Sequence, residues 1–291
     1  MELIVSIRQM QYYAEQQRYA GRRIAVVPTM GYFHEGHLSL IRQARQLADV
    51  VITTLFVNPT QFLPGEDYER YPRDLERDRR LAEEAGSDVL FAPTVQEMYP
   101  AGYTTRVTVL GVSEKFEGVF RPGHFQGVAT VVTKLFLATK PHVALFGQKD
   151  WQQTLVVRQL VRDLNFDVEI VVVPTVREAD GLAMSSRNIY LLPEQRQKAT
   201  VLYRALQRAR ELVLQGQRRR QVLVQAMAEE LHSVPEIQLD YAAAADAFTL
   251  DEPEEFAGGQ QIALLVAARL GQIRLIDNEV VQVPPTGAER A

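Results

Sequence analysis

Along the first two thirds of the chain, short unbroken apolar runs alternate with stretches whose apolar residues fall three and four apart. That alternation predicts a parallel sheet flanked by helices. Residues 24–27 (IAVV, closed by Pro28), 50–57 (VVITTLFV), 88–92 (DVLFA), 143–146 (VALF) and 168–173 (VEIVVV) read as strands. Runs this apolar and this rich in β-branched residues suit strands covered on both faces. Residues 105–110 alternate more weakly and read as a further strand, while 93–102 reads as loop. Helical spacing runs through Met10, Tyr13, Ala14 and Gln17 with Ser6 as a cap, through Leu40, Ile41, Ala44, Leu47 and Ala48, along 128–137, and through Gln152, Gln153, Val156, Val157 and Leu160.

From Pro193 the sequence turns strongly helical and rich in Gln and Arg, with stripes at Val201, Leu202, Ala205, Leu206, Ala209, Leu212 and Val213 and at Val224, Met227, Ala228 and Leu231. Residues 237–242, 261–269 and 272–276 then read as a small sheet, antiparallel because Leu270 and Gly271 leave room only for a tight turn. The expected organisation is a domain of residues 1–187 and a smaller one of 188–291, with the last dozen residues loose. Arg218, Arg219 and Arg220 read as a solvated turn between helices.

Chemistry concentrates in residues 24–47. A strand there gives way to a helix across Thr29, Met30, Gly31, His34, Gly36 and His37, so two of the five histidines stand where a helix start offers open amides and positive dipole. The bland alternative is a pair of structural imidazoles; a zinc site fits less well, since no third ligand is nearby. Gly36, without a side chain, leaves room for a ligand to approach the backbone. Ligands of open parallel sheets bind beyond the carboxyl ends of the strands, which brings in Gln61 after the second strand. Residues 63–80 mix a Pro-Gly turn with many charges and read as exposed surface, with Tyr71, Pro72 and Arg73 as a lid over a bound ligand. Residues 116–128, a Gly-rich loop or simple turn, offer Arg121 and His124 to an acidic ligand. Lys149, between a strand and a helix, suits phosphate oxygens, with Gln153 in the following first turn. Met184, Ser185, Ser186 and Arg187 add two hydroxyls and a guanidinium.

Composition narrows the function classes. With 291 residues, 46% hydrophobic, the chain can bury a large core. A net charge of -4 gives no general attraction to nucleic acid or to an anionic membrane. The first residues, MELIVSIRQM, lack the pattern of a secretory signal, and no run of 18 apolar residues occurs, so a cytoplasmic protein is expected. The absence of cysteine excludes disulfides, thiolate catalysis and thiolate metal sites.

The segments PTMGYFHEGH, FVNPTQF, FRPGHFQGV, FGQKDWQQ, DGLAMSSRN and RLIDN, in that order over nearly the whole chain, resemble the pantothenate synthetase family within the wider HxGH nucleotidyltransferases. The resemblance implies a Rossmann-like parallel sheet with a smaller α+β C-terminal domain, a homodimer, and Mg2+-ATP-dependent joining of pantoate to β-alanine. By resemblance Met30, Gly31, Tyr32, Phe33, His34, Glu35, Gly36, His37, Gly147, Gln148, Lys149, Asp150, Val176, Met184, Ser185, Ser186 and Arg187 contact ATP, with His37, His34 and Lys149 catalytic. Gln61 and Gln153 hold pantoate, and Arg121 and Tyr71 join them on the substrate side. Protein ligands of the metal are not implied. Departures from the family pattern are Leu63-Pro64-Gly65, Gln148, Ala179 and the run Ala242, Ala243, Ala244, Ala245. Other HxGH nucleotidyltransferases, which leave the nucleotide on the product, and an ATP-binding regulator without chemistry are the alternatives.

Overall fold

The computed structural model describes residues 1–285. Contacts within the chain divide it into two units, Met1–Val176 and Arg177–Ala291.

The first unit is a six-stranded parallel sheet. Its strands are β1 (Glu2–Ile4), β2 (Ile24–Thr29), β3 (Val50–Leu55), β4 (Val89–Phe91), β5 (Val143–Gly147) and β6 (Glu169–Val173), in the order β1-β4-β3-β2-β5-β6. Side chains alternate between two apolar layers, as the two-residue period of a strand demands. Ile24, Val26, Val50, Ile52, Val89, Phe91, Ala144 and Phe146 enter one; Ala25, Val27, Val51, Leu90, Val143 and Leu145 enter the other. The first layer is closed by Met10 and Ala14 of α1 (Ile7–Tyr19), by α6 (His124–Thr139) and by Val156, Val157 and Leu160 of α7 (Trp151–Asp163). Leu40, Ile41 and Ala44 of α2 (Glu35–Leu47) and Ala82 and Ala85 of α3 (Leu75–Ala85) close the second. A fully buried Leu or Ile contributes about 1.5–3 kcal/mol, so strands covered on both sides hold the frame that carries the loops.

The chain runs outward from β2 through β3 to β4 and then returns to place β5 on the other side of β2. The carboxyl ends of β2 and β5 therefore flank the point where strand order reverses, where crevices of open parallel sheets form. Residues 30–37 follow β2 and residues 148–150 follow β5.

Several expectations are corrected. Residues 105–110 form no strand; the Val107 amide donates to Thr130 Oγ1 instead of to a neighbouring strand. The loop expected at 93–102 contains the short helix α4 (Val95–Met98), started by Thr94 accepting from the Glu97 amide. Residues 116–123 contain the four-residue α5 (Glu117–Phe120), and α6 begins at His124, ahead of the expected 128. The edge strand β1 was absent from the sequence pattern because three residues show no period.

In the second unit α8 (Pro193–Lys198), α9 (Val201–Leu214) and α10 (Arg220–His232) precede an antiparallel sheet of β7 (Ile237–Asp246), β8 (Gln261–Leu270) and β9 (Ile273–Gln282). Leu202, Leu206, Val213 and Met227 pack on Ile262, Leu264, Val266 and Ala268 of the central strand. Gly271, with φ near +63°, makes the expected β8–β9 turn. The alanine run 242–245 lies within β7, where Ala243, Ala244 and Ala245 are buried. The division falls after Val176, ahead of residue 187, because Arg177 pairs with Asp277 and Leu182 and Leu191 join the second core. Of the terminal dozen expected to be loose, β9 includes residues 280–282, and 286–291 lie outside the described residues. Arg219 bridges to Glu255 and Arg220 opens α10, so the arginine run is not merely a solvated turn.

Candidate active site

The helix after β2 begins at Glu35, earlier than its apolar stripe, so His34 is its N-cap and His37 lies in its first turn. The two imidazoles complete a reciprocal cap. Nδ1 of His34 accepts from the Gly36 amide at 3.1 Å, and Nδ1 of His37 accepts from the His34 amide at 3.3 Å. An imidazole nitrogen that accepts carries no proton, so each neutral ring bears its proton on Nε2. The rings lie 4.1 Å apart between centroids, and the buried Phe33 ring lies 5.5 Å from that of His37. Burial, followed by the charges of His34 and Lys149, holds His37 well below the ordinary histidine range, so it is neutral near pH 7.

Gly36 also has a packing role. A Cβ there would stand 2.8 Å from Cε1 and 2.9 Å from Nδ1 of His34, so the missing side chain makes room for the imidazole that caps its own helix. Glu35 faces outward, bonded to Arg42, whose hydrogen bond holds its carboxyl below the usual range.

The segment after β3 is tied to the segment after β2. Asn58, buried, caps the 3-10 turn Pro59–Gln61 and donates to Gln61 Oε1 at 3.0 Å and to the Gly127 carbonyl at 3.1 Å. Gln61 Nε2 contacts Met30 Sδ at 3.2 Å, so the segments that follow the two strands meet. Asn58 Oδ1 accepts from Thr60 Oγ1 and from the Tyr99 hydroxyl, at 3.0 and 2.8 Å. Sequence reasoning missed Tyr99. Gly127 matters here too, because a Cβ would lie 2.3 Å from the Thr60 carbonyl oxygen and force α6 away from the turn.

Arg121 and Tyr71 are engaged with the protein itself. Arg121 makes two 2.8 Å hydrogen bonds to Glu66 and approaches the Gln61 carbonyl at 3.3 Å. Tyr71 is buried edge-on against Phe62, 6.0 Å between centroids, and its carbonyl accepts from Arg73. It is therefore packed in the fold and is not a surface lid residue. His124 is buried beside Arg121; since a guanidinium only donates, Nε2 accepts from it at 3.2 Å and Nδ1 donates to the Gln61 carbonyl at 2.8 Å.

Lys149 lies in the 3-10 turn Gln148–Asp150 that joins β5 to α7, 3.9 Å from Asp150. Gln153 is half-buried in the first turn of α7. Its neighbour Gln152, which sequence alone did not separate from it, is structural: it accepts from the Glu117 amide and donates to the carbonyls of Val112 and Lys115.

The second unit opens with a tight hairpin in which Arg177 bridges to Ala183. Gly181 turns it with φ near +93°, and Tyr203 fills the space a Cβ would need. Met184 follows, and Ser185 then caps the 3-10 helix Ser186–Tyr190 by accepting from the Arg187 amide. Accepting leaves the Ser185 hydroxyl proton available for donation.

The matches to known proteins follow this geometry along the whole chain. A family model described as pantoate-beta-alanine ligase matches residues 2–280. Pantothenate synthetase of Moorella thermoacetica is 56% identical over 283 residues, covering 97% of this chain and 99% of that one. A crystal structure of pantothenate synthetase from Thermus thermophilus has a TM-score of 0.90 at 51% identity, covering 98% of this chain and 100% of that one. A pantoate-beta-alanine ligase from Francisella tularensis, crystallised with beta-gamma ATP and beta-alanine, has a TM-score of 0.79 at 33% identity, covering 96% and 97%. Matched over nearly its whole length in sequence and in fold, this chain belongs to the pantoate-beta-alanine ligase family.

Proposed function

We propose that this chain joins pantoate to β-alanine with conversion of ATP to AMP and pyrophosphate, and that His34, His37 and Lys149 carry the chemistry. The observation behind the residue assignment is the reciprocal cap, which occupies both Nδ1 atoms and so puts the proton of each neutral ring on Nε2, with Lys149 near enough to act on His37.

The pantoate carboxylate is already ionised near neutral pH, so its attack on the α-phosphorus needs no general base. The new bond joins a carboxylate oxygen to phosphorus, and pyrophosphate leaves with the electron pair of the broken P–O bond. Charge grows on the phosphoryl oxygens, which fixed donors stabilise without reorganising. The neutral amine of β-alanine then attacks the acyl carbon, AMP departs with the C–O electron pair, and the nitrogen gives up a proton. An amine of this kind has a pKa of roughly 10, so the neutral form must be selected in the site, the protons it sheds pass to solvent, and His37, with its proton on Nε2, is assigned to donate a hydrogen bond during these steps.

We assign ATP to Met30, Gly31, Tyr32, Phe33, His34, Glu35, Gly36, His37, Gly147, Gln148, Lys149, Asp150, Val176, Met184, Ser185, Ser186 and Arg187, and pantoate to Gln61 and Gln153. Arg121 and Tyr71 act on the substrate side through Gln61 and its neighbour Phe62, which they pack or bond. Among the described residues no group of three His, Asp or Glu side chains is placed to hold a metal ion. Mg2+ favours phosphate oxygens and water, so the reading brings it in with ATP. A homodimer and a cytoplasmic location complete the proposal. The first rests on family resemblance and is checked by sedimentation; with the second, it accords that no described helix is long and apolar enough to cross a membrane.

Phosphorus NMR with Mg-ATP, pantoate and β-alanine, repeated with each co-substrate omitted, is the test. Sustained AMP and pyrophosphate formation only with both present supports the ligase. Unchanged ATP with everything present turns the assignment towards a nucleotide-binding regulator.

A further inference from the structure

We infer that Asp78 is a positioning residue for the ligation, a buried carboxylate that sets the backbone from which His34 and His37 are presented. Its sequence surroundings, LERDRR, give no sign of this, since charges at nearly every position read as a solvated helix face. Asp78 is nevertheless fully buried. Its Oδ2 accepts from the Tyr32 amide at 2.5 Å and its Oδ1 from the Phe33 amide at 2.7 Å. Two successive peptide groups just ahead of His34 are thus held by one carboxylate, and hydrogen bonds to a charged acceptor are about twice as strong as neutral ones.

The segment needs such a hold. Gly31 has φ near +87° and Tyr32, a bulky residue, φ near +52°, so two left-handed residues stand in succession. Strain of this kind persists only where surrounding contacts over-determine the conformation. Arg77 supplies a second contact by donating to the Phe33 carbonyl at 2.8 Å while its guanidinium lies 4.9 Å from the centre of the Tyr32 ring. Asp78 and Gly31 also constrain each other, because a Cβ on Gly31 would lie 3.0 Å from Oδ2. From this clamp the chain passes to the extended His34, whose amide bonds His37. The carboxylate therefore acts through two peptide groups on the orientation of both imidazoles.

The inference rests on the assignment of the chemistry to His34 and His37, and the experiment separates the two. Asp78→Asn keeps the size of the side chain but turns one acceptor into an NH2 group facing an amide N–H. Expected is a loss of kcat on the order of a hundredfold, the effect of a small misplacement of catalytic groups, with KM for pantoate changed less than about twofold because Asn58 holds Gln61 independently of Asp78. Ring nitrogen NMR of His37 is expected to lose the signature of a purely Nε2-protonated imidazole. A merely structural aspartate would lower the melting temperature and leave kcat per folded molecule and the tautomer unchanged, and that result overturns the inference.

His37→Ala is measured alongside. If it keeps full turnover, the assignment of the chemistry fails; if it loses turnover while Asp78→Asn keeps it, the positioning role alone fails. Should Asp78→Asn not fold, scalar couplings across the two hydrogen bonds, from the Tyr32 and Phe33 nitrogens to the Asp78 carboxyl carbon, are read in the unaltered protein. Their presence supports the clamp and the absence of both overturns it.

Discussion

Arg121 and Glu66 meet through two hydrogen bonds of 2.8 Å, one from Nε and one from Nη2, so the cation that the sequence offered to an acidic ligand already has a carboxylate partner. Burial pushes the Glu66 carboxyl up, and the hydrogen bond and charge of Arg121 outweigh that effect, leaving it below the usual range. Glu66→Gln removes the charge that neutralises a guanidinium only 12% exposed. Urea unfolding is expected to show a loss of about 1–3 kcal/mol. The same unfolding curve as the unaltered protein would mean that the pair is solvated and that Arg121 is at liberty to meet a ligand.

His124 makes stability depend on pH. Burial, then the charge of Arg121, lowers it from 6.5 to about 4. Between those values the unfolded chain binds a proton that the folded chain refuses, so its contribution is complete above pH 6.5 and is lost as pH falls towards 4. The size is roughly 3 kcal/mol when both states have titrated. Melting temperature followed from pH 7.5 to 4.5 is expected to fall less steeply in His124→Gln than in the unaltered protein; equal slopes would remove His124 as the cause.

His37 is expected to work as a neutral donor. Replacing it with Ala removes one fixed donor and costs on the order of a hundredfold or more in kcat. Because burial holds its pKa well below the ordinary histidine value, the acid limb of the kcat profile is not expected near pH 6.5 on account of this ring. Unchanged turnover in His37→Ala, measured as pyrophosphate release, would sink this assignment.

What the sequence revealed and what it hid divide along a physical line. β2 and β3 were legible because strands covered on both faces are apolar at most positions, Thr29, Thr53 and Thr54 being the buried exceptions. His34 and His37 were legible because a helix start with two close imidazoles is local chemistry. Asp78 was hidden because its burial depends on the peptide groups of residues 31–33, more than forty positions away in the chain. Residues 105–110 misled for the converse reason: alternation states what a strand would bury, while a strand also needs a neighbour, and here Thr130 of α6 takes the Val107 amide. Gln152 and Gln153 are neighbours on α7, and one residue of error exchanges a structural role for the proposed substrate role.

Gly127 ties a helix position to the substrate side of the first unit. With only 2.3 Å between an added Cβ and the Thr60 carbonyl oxygen, Gly127→Ala must move α6 or the turn that carries Gln61. Overpacking of this kind costs about 1–3 kcal/mol. The displacement acts on Gln61, so KM for pantoate is expected to rise more than KM for ATP. Equal changes in the two constants would show that the strain is absorbed by α6 alone.

Asp277, in the RLIDN segment, holds the hairpin that leads to Met184, Ser185, Ser186 and Arg187. Arg177 donates to its two carboxylate oxygens at 2.6 and 3.1 Å, and also to the Gly181 and Asn278 carbonyls, with its guanidinium 4.7 Å from the centre of the Tyr203 ring. Burial lowers Arg177, while the Asp277 hydrogen bond and charge raise it by more, so the guanidinium stays charged. Asp277→Ala strands a largely buried guanidinium with Glu279 at 3.8 Å as the nearest remaining carboxylate among its ion pairs. Breaking one side of a buried pair costs about 3–5 kcal/mol, and the second unit is expected to bear the loss. Limited proteolysis is the sensitive measurement, because the hairpin can open while the sheet β7-β8-β9 persists. Cleavage within residues 178–187 is expected to quicken in Asp277→Ala and to return towards the original rate in the double variant Arg177→Met with Asp277→Ala, where no charge is left stranded. If the single variant is cut no faster, the hairpin is held by Gly181 packing on Tyr203, and Gly181→Ala becomes the substitution that releases it.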